Sequence, residues 1–201
     1  MLNALSFNFR LPEDQKVISD GLPLEPFSER VRKLQAITAG RLWDEAKNVQ
    51  MLSHVDWPMP LLIAGEALDD LGELNHADFV GNLPRQALLA RFAESALYVC
   101  SSRYEPFGLA PLEAALCGCA VIAHDIPSLR EVWGEGAIYF GDADALSKIL
   151  QTLKADLQAL AKAQQRSFEQ AKRYSQAAMT SAYLSLFEAL ISRKEDLAYV
   201  A

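Results

Sequence analysis

Histidine and cysteine are scarce in this sequence, with three of each in 201 residues. Cys100, Cys117 and Cys119 show no spacing that suits a metal site or a disulfide framework, so they read as reduced core thiols of a cytoplasmic protein. His54, His76 and His124 are scattered singly and favour structural roles, although His124 closes a strand. Positive charge is in deficit too: 19 lysines and arginines face 26 acids, a formal charge of -7. That balance argues against nucleic acid as a partner. Any phosphate site has to come from local cations and backbone amides working against the overall field. Long apolar runs are missing, so no segment approaches a bilayer span and no transmembrane segment is expected. Met1 to Arg10 has no basic stretch followed by an apolar one, and no secretory leader is read there. Internal repeats and low-complexity tracts are absent as well. What remains is 51% hydrophobic composition, ample for a packed core in one large or two small domains.

The apolar residues fall into short runs that end in glycine or a polar loop. Leu34 to Ala39 stops at Gly40, Leu61 to Ala64 at Gly65, and Asp78 to Val80 at Gly81. Leu97 to Cys100, Ala120 to Ala123 and Ala137 to Phe140 follow the same rule, and helical patterns separate most of them. Buried runs alternating with helices predict an α/β fold, a Rossmann-like parallel sheet with helices on both faces and further helices at the C-terminus. Loops that follow each strand then share one edge of the sheet, where such folds bind ligands. Residues 1–32, with Pro12, Pro23, Pro26, a turn at Asp20-Gly21 and a short strand at Lys16 to Ile18, read as linker and edge segment. Residues 33–194 make the domain, and 195–201 a tail.

Helix ends are legible. Asp44 is placed to cap a helix running through about His54, with Lys47 at i+3 as its ion-pair partner. Gln86 to Ser95 is helical. Asp142 and Asp144 precede an apolar helical pattern, so they read as N-terminal caps rather than metal ligands, and no metal is expected. Ala145 to Lys172 forms one or two amphipathic helices. Ser175 caps a last helix from Ala177 to about Arg193, whose Tyr183, Leu186, Phe187 and Leu190 recur at helical spacing and read as core.

The stretch Ser101 to Trp133 is the most informative. A helix enters at Pro111 and ends near Gly118, and neither Leu109 nor Ala110 supplies a capping side-chain oxygen. Its first amides therefore lack a local acceptor and attract an anion, with phosphate the natural candidate. Glu105 in the loop and Glu113 in the helix flank this point.

The string Glu105-Pro-Phe-Gly-Leu-Ala-Pro-Leu-Glu113, continuing Ala-Ala-Leu-Cys-Gly-Cys-Ala-Val-Ile-Ala, with Glu131 after Pro127-Ser-Leu-Arg, resembles the E-x7-E signature of retaining glycosyltransferases of family four, which have the GT-B fold. Gly40-Arg41-Leu42 followed by Lys47-Asn48 is similar to the family's pyrophosphate-clamping segment. The resemblance implies hexosyl transfer from a UDP-, GDP- or ADP-sugar to a hydroxyl acceptor with retention, without a cofactor or a required metal. It assigns Arg41 and Lys47 to the departing diphosphate, Glu105 to the donor sugar and its oxocarbenium-like transition state, and Glu113 to the ribose hydroxyls. Phe107, Gly108 and Leu109 fall beside the phosphates, and Leu83 and Arg85 near the base. Family members begin their second domain after a strand that commonly ends in Asn-Gly, where this chain has Ser19-Asp20-Gly21. The likeness covers only that second domain, so an N-terminal acceptor-binding domain is the implied partner, and the isolated domain is expected to be inactive. The last helix, which in the family crosses to the partner domain, is expected to expose part of its apolar face. A non-catalytic nucleotide- or partner-binding module of the same fold is the alternative. Epimerases and phosphorylases of this fold lack the Glu-Pro-Phe-Gly context.

Overall fold

The computed structural model describes residues 16–23, 32–66 and 77–198, the side chains of 193–198 excepted. The readings that fell on Met1 to Arg10, Pro12, Pro26 and His76 lie outside the described residues. The chain divides into two compact units, one of residues 26–172 and one that joins residues 1–25 to 173–201.

The larger unit is built on six parallel strands: β1 (Lys33–Arg41), β2 (Leu61–Glu66), β3 (Ala77–Gly81), β4 (Ser95–Cys100), β5 (Ala120–His124) and β6 (Ala137–Phe140). Their order across the sheet is β3-β2-β1-β4-β5-β6, so the winding reverses between β1 and β4. That reversal opens a crevice at the carboxyl ends of these two strands. The helices are α1 (Arg85–Glu94), α2 (Leu109–Leu116), α3 (Pro127–Trp133), α4 (Ala143–Ala155) and α5 (Leu157–Lys172). Alternation along the strands assigns the faces. Ala36, Leu61, Ile63, Leu97, Val99, Ala120 and Ile122 pack in one cluster with Leu146, Leu150, Leu153 and Leu160 of α4 and α5. The opposite face meets α1, where Phe92 and Tyr98 make an edge-on ring contact at 5.6 Å. The expected Rossmann-like sheet with helices on both faces is what the chain forms.

Several local expectations need correction. Lys16 to Ile18 is not a strand. No single helix runs from Asp44 to His54. Two 3₁₀ segments, Glu45–Lys47 and Val49–His54, meet at Asn48, whose φ of 53° is left-handed and cannot continue a helix. Asp44 does cap, accepting from the Ala46 amide at 3.0 Å, but its ion-pair partner is Arg41 rather than Lys47. α2 starts two residues before Pro111 and is capped by Gly108, not by Leu109 or Ala110. Residues Pro127–Trp133 form a helix that the sequence had not suggested. In the smaller unit α6 spans Gln176–Ala198, with Ser175 Oγ accepting from the Ala178 amide at 3.1 Å. Of its expected core stripe, Tyr183, Phe187 and Leu190 are exposed and Leu186 is half-buried; Leu184 and Ile191 beside them are exposed as well.

Candidate functional site

β1 ends at Arg41, and the chain turns through the two 3₁₀ segments. β4 ends at Cys100, and a polar loop leads to α2. Three hydrogen bonds join these two loops: Arg103 N donates to Ala46 O at 2.8 Å, Ser101 Oγ to Lys47 O at 2.8 Å, and Asn48 Nδ2 to Ser101 O at 3.3 Å. The left-handed turn at Asn48 and these bonds fix the Lys47 backbone against β4. Its side chain then runs past Gly40, where a methyl group would sit in ordinary contact with the lysine methylenes at 3.6 Å.

Lys47 Nζ meets Glu105 Oε2 at 2.5 Å, with the two side chains only 22% and 13% exposed. A second cation-carboxylate pair lies at the next helix: Arg85 Nε, in the first turn of α1, donates to Glu113 Oε1 at 3.0 Å. Arg41 is paired with Asp44 at 2.8 Å and lies 5.4 Å from the Trp43 ring centroid. So Lys47, Glu105, Arg85 and Glu113 come together in opposite-charge pairs, while Arg41 stands at the strand end with its side chain 64% exposed. Glu105 is felt by its buried neighbours. Burial, and after it the Glu105 carboxylate, pushes the Cys100 thiol up; burial, then Cys100 and Glu105, does the same to the Tyr98 hydroxyl.

The mouth of α2 is shaped by Gly108. At φ 90° it leaves the helical region, and a Cβ there would lie 2.9 Å from Pro111 Cγ and 3.3 Å from Glu105 Cγ. It provides no side-chain cap, and the first backbone bond of the helix is Leu112 N to Gly108 O at 3.3 Å. Pro111 has no donor to satisfy, which leaves the Leu109 and Ala110 amides at the positive end of the helix. Phe107 is buried beneath this loop and Leu109 is exposed above it.

Next to these groups is a cavity of about 350 Å³ lined by Ala39, Gly40, Arg41, Ala64, Gly65, Glu66, Asn82, Leu83 and Leu88. The Gly81 to Arg85 loop, with Asn82 and Leu83, was expected near a ligand; Glu66 and Leu88 were not. The signal for Glu66 is positional, since it closes β2 on the same sheet edge as Arg41. Gly65 is required here: at φ 144° a Cβ would fall 1.8 Å from Gly40 O. His124 is a satisfied structural residue, with Nδ1 3.2 Å from Ser102 O and its ring against Phe140. Asp142 accepts from the Ala145 amide at 2.8 Å as the cap of α4. Among the described residues, no helix is long and apolar enough to cross a membrane.

A family profile described as glycosyl transferases group 1 matches residues 36–174. O-antigen chain mannosyltransferase B of Escherichia coli is 37% identical over 101 residues, which is 45% of this chain and 26% of that protein. Sucrose-phosphate synthase of Thermosynechococcus elongatus superposes with a TM-score of 0.82 at 22% identity, over 96% of this chain and 56% of that one. HepE of Anabaena, solved with UDP and glucose, gives a TM-score of 0.66 at 22% identity, over 80% of this chain and 49% of that one. The chain thus spans about half of these solved structures and, where it aligns, about a quarter of the mannosyltransferase.

Proposed function

The chain belongs to the glycosyl transferases group 1 family, and we propose that it is the donor-binding domain of a retaining enzyme that moves a hexosyl group from a nucleoside diphosphate sugar to a hydroxyl. The acceptor would be held by a further, N-terminal domain, and the isolated domain would bind donor without turning it over. The reading is carried by one observation. Lys47 and Glu105 are in contact, mostly buried, beside a helix mouth that has no side-chain cap.

That arrangement suits a departing diphosphate. Charge develops on its oxygens as the sugar leaves, and fixed cations with oriented amides stabilise such charge best when water is largely excluded. Lys47 and Arg41 supply the cations, and the Leu109 and Ala110 amides supply donors at the α2 terminus. Charge neutralisation by these groups gives the site a metal-independent route. Glu105 accepts hydroxyls of the donor sugar and, being anionic, favours the positive ring of an oxocarbenium-like transition state. Glu113 accepts the ribose hydroxyls. Before donor arrives, each carboxylate is satisfied by a cation of the same site, Glu105 by Lys47 and Glu113 by Arg85. Donor entry exchanges these pairs for phosphate and hydroxyl partners, so the empty site carries no unpaired buried charge.

Calorimetric titration with UDP, GDP and ADP tests the reading. One diphosphate should bind the wild-type chain and lose about tenfold or more in affinity in Lys47→Ala, the loss of one charge-assisted contact. Absence of binding by all three would leave a partner-binding module of the same fold.

A further inference from the structure

Glu66 is an exposed acid at the end of β2 to which the donor-domain reading gives no role. It is the last residue of β2, in register with Arg41 across the ladder, and its carbonyl accepts from Leu42 N at 3.0 Å, so its backbone is fixed. Its residue lines the 350 Å³ cavity, at the small end of the roughly 300–1,000 Å³ range of ligand sites. The cation across the ladder, Arg41, is engaged by Asp44. Among the described residues the Glu66 carboxylate has no hydrogen-bond or ion-pair partner. A lone carboxylate beside a diphosphate site costs binding energy through repulsion unless the ligand itself brings donors to it.

The rest of the cavity fits a nucleobase. Leu83 and Leu88 give apolar walls, and Gly40 and Gly65 add no side chain to the lining. Asn82 adds one amide, with a donor and an acceptor. The bases differ in what they offer one carboxylate. Uracil presents a single N3–H between two carbonyl oxygens, which repel the acid. Adenine presents its N6 amine beside the N1 acceptor. Guanine alone of the three presents two neighbouring donors, N1–H and the N2 amine, at the spacing of two carboxylate oxygens.

We propose that this cavity is a guanine-selective base site in which Glu66 takes two N–H donors from one edge of the base, making the donor a guanosine diphosphate sugar. The proposal rests on the donor-domain reading above and names its nucleotide.

Titrating GDP, UDP and ADP into the chain and into Glu66→Gln tests it. GDP should bind about 10- to 100-fold tighter than UDP and ADP, the range for paired bonds to a charged acceptor. Glu66→Gln should erase that preference by weakening GDP, because a carboxamide has one acceptor oxygen and turns a donor toward the second N–H. UDP and ADP, no longer facing an unmatched charge, should bind as before or tighter. Glu66 lies on the rim of the fold, and an unchanged melting temperature would show that the variant is intact. Tightest binding of UDP or ADP, or a GDP preference that survives Glu66→Gln, overturns the proposal while the donor-domain reading stands. Failure of every nucleotide to bind overturns both.

Discussion

Gly108 makes the strictest demand of any residue at the site. Its φ of 90° disfavours an L side chain, and an added methyl would press on Pro111 Cγ at 2.9 Å and on the Glu105 side chain. Gly108→Ala should cost about 1–2 kcal/mol in unfolding free energy, visible as a lower melting temperature, and should weaken nucleotide binding by shifting Glu105. Lys47 differs in kind, because its removal leaves a carboxylate only 13% exposed without its cation. Lys47→Met should destabilise by about 1–3 kcal/mol, and adding Glu105→Gln should recover much of that loss. A double-mutant cycle on urea unfolding that includes Glu105→Gln alone checks it; a loss in the double variant equal to the sum of the two single losses would mean that the pair contributes nothing. The same residue shows where sequence reasoning stops. A local i,i+3 rule couples Lys47 to Asp44, but the observed partner is 58 positions away. The residue types at the site were legible because charged and glycine positions have few structural uses in such loops. Their pairing was not, since it depends on which strands become neighbours.

Elements that carry their own signal matched the sequence best. Buried parallel strands read as short apolar runs, and the bounds of β6 agree residue for residue. The segment after β1 did not, because a single left-handed residue, Asn48, breaks what helical spacing would continue. The strand-helix-strand unit from β4 to β5 also sets a pH limit on stability. All three thiols lie in it, buried, and Cys119 Sγ reaches Phe92 O at 3.1 Å. Burial above all pushes each thiol up, Cys117 from 9.0 to about 12. The folded chain therefore holds these protons more tightly than the unfolded one. Their contribution to stability is complete below about pH 9 and is lost as pH rises toward 12. Urea midpoints should be level from pH 7 to 8.5 and fall steadily between pH 9 and 11, and Cys117→Ala should flatten that fall. A flat wild-type profile through pH 11 would contradict the burial account.

At the scale of the molecule, the sheet order gathers the site. β1 and β4 are separated by two strands in sequence yet are neighbours in the sheet, which brings Arg41, Lys47 and Glu105 to one edge. Alternating strands and helices announce such a sheet, whereas its order has to be seen. The smaller unit shows the converse. Tyr183, Leu186, Phe187 and Leu190 recur at helical spacing, which alone assigns them to a core, yet only Leu186 is even half-buried, and Leu184 and Ile191 extend the apolar face. The structure leaves it exposed, with Phe187 and Leu190 each 53% accessible and Tyr183 stacked near Phe187 at 6.1 Å. An apolar stripe of this length on an otherwise acidic chain attracts hydrophobic probes. The chain should thus enhance the fluorescence of a naphthalene sulfonate dye in native buffer, and Phe187→Glu with Leu190→Glu should remove most of that signal. The far-UV spectrum and nucleotide affinity should not change, because the stripe shares no residue with the site. Dye fluorescence that persists in the double variant would place the dye elsewhere and overturn the stripe as its site.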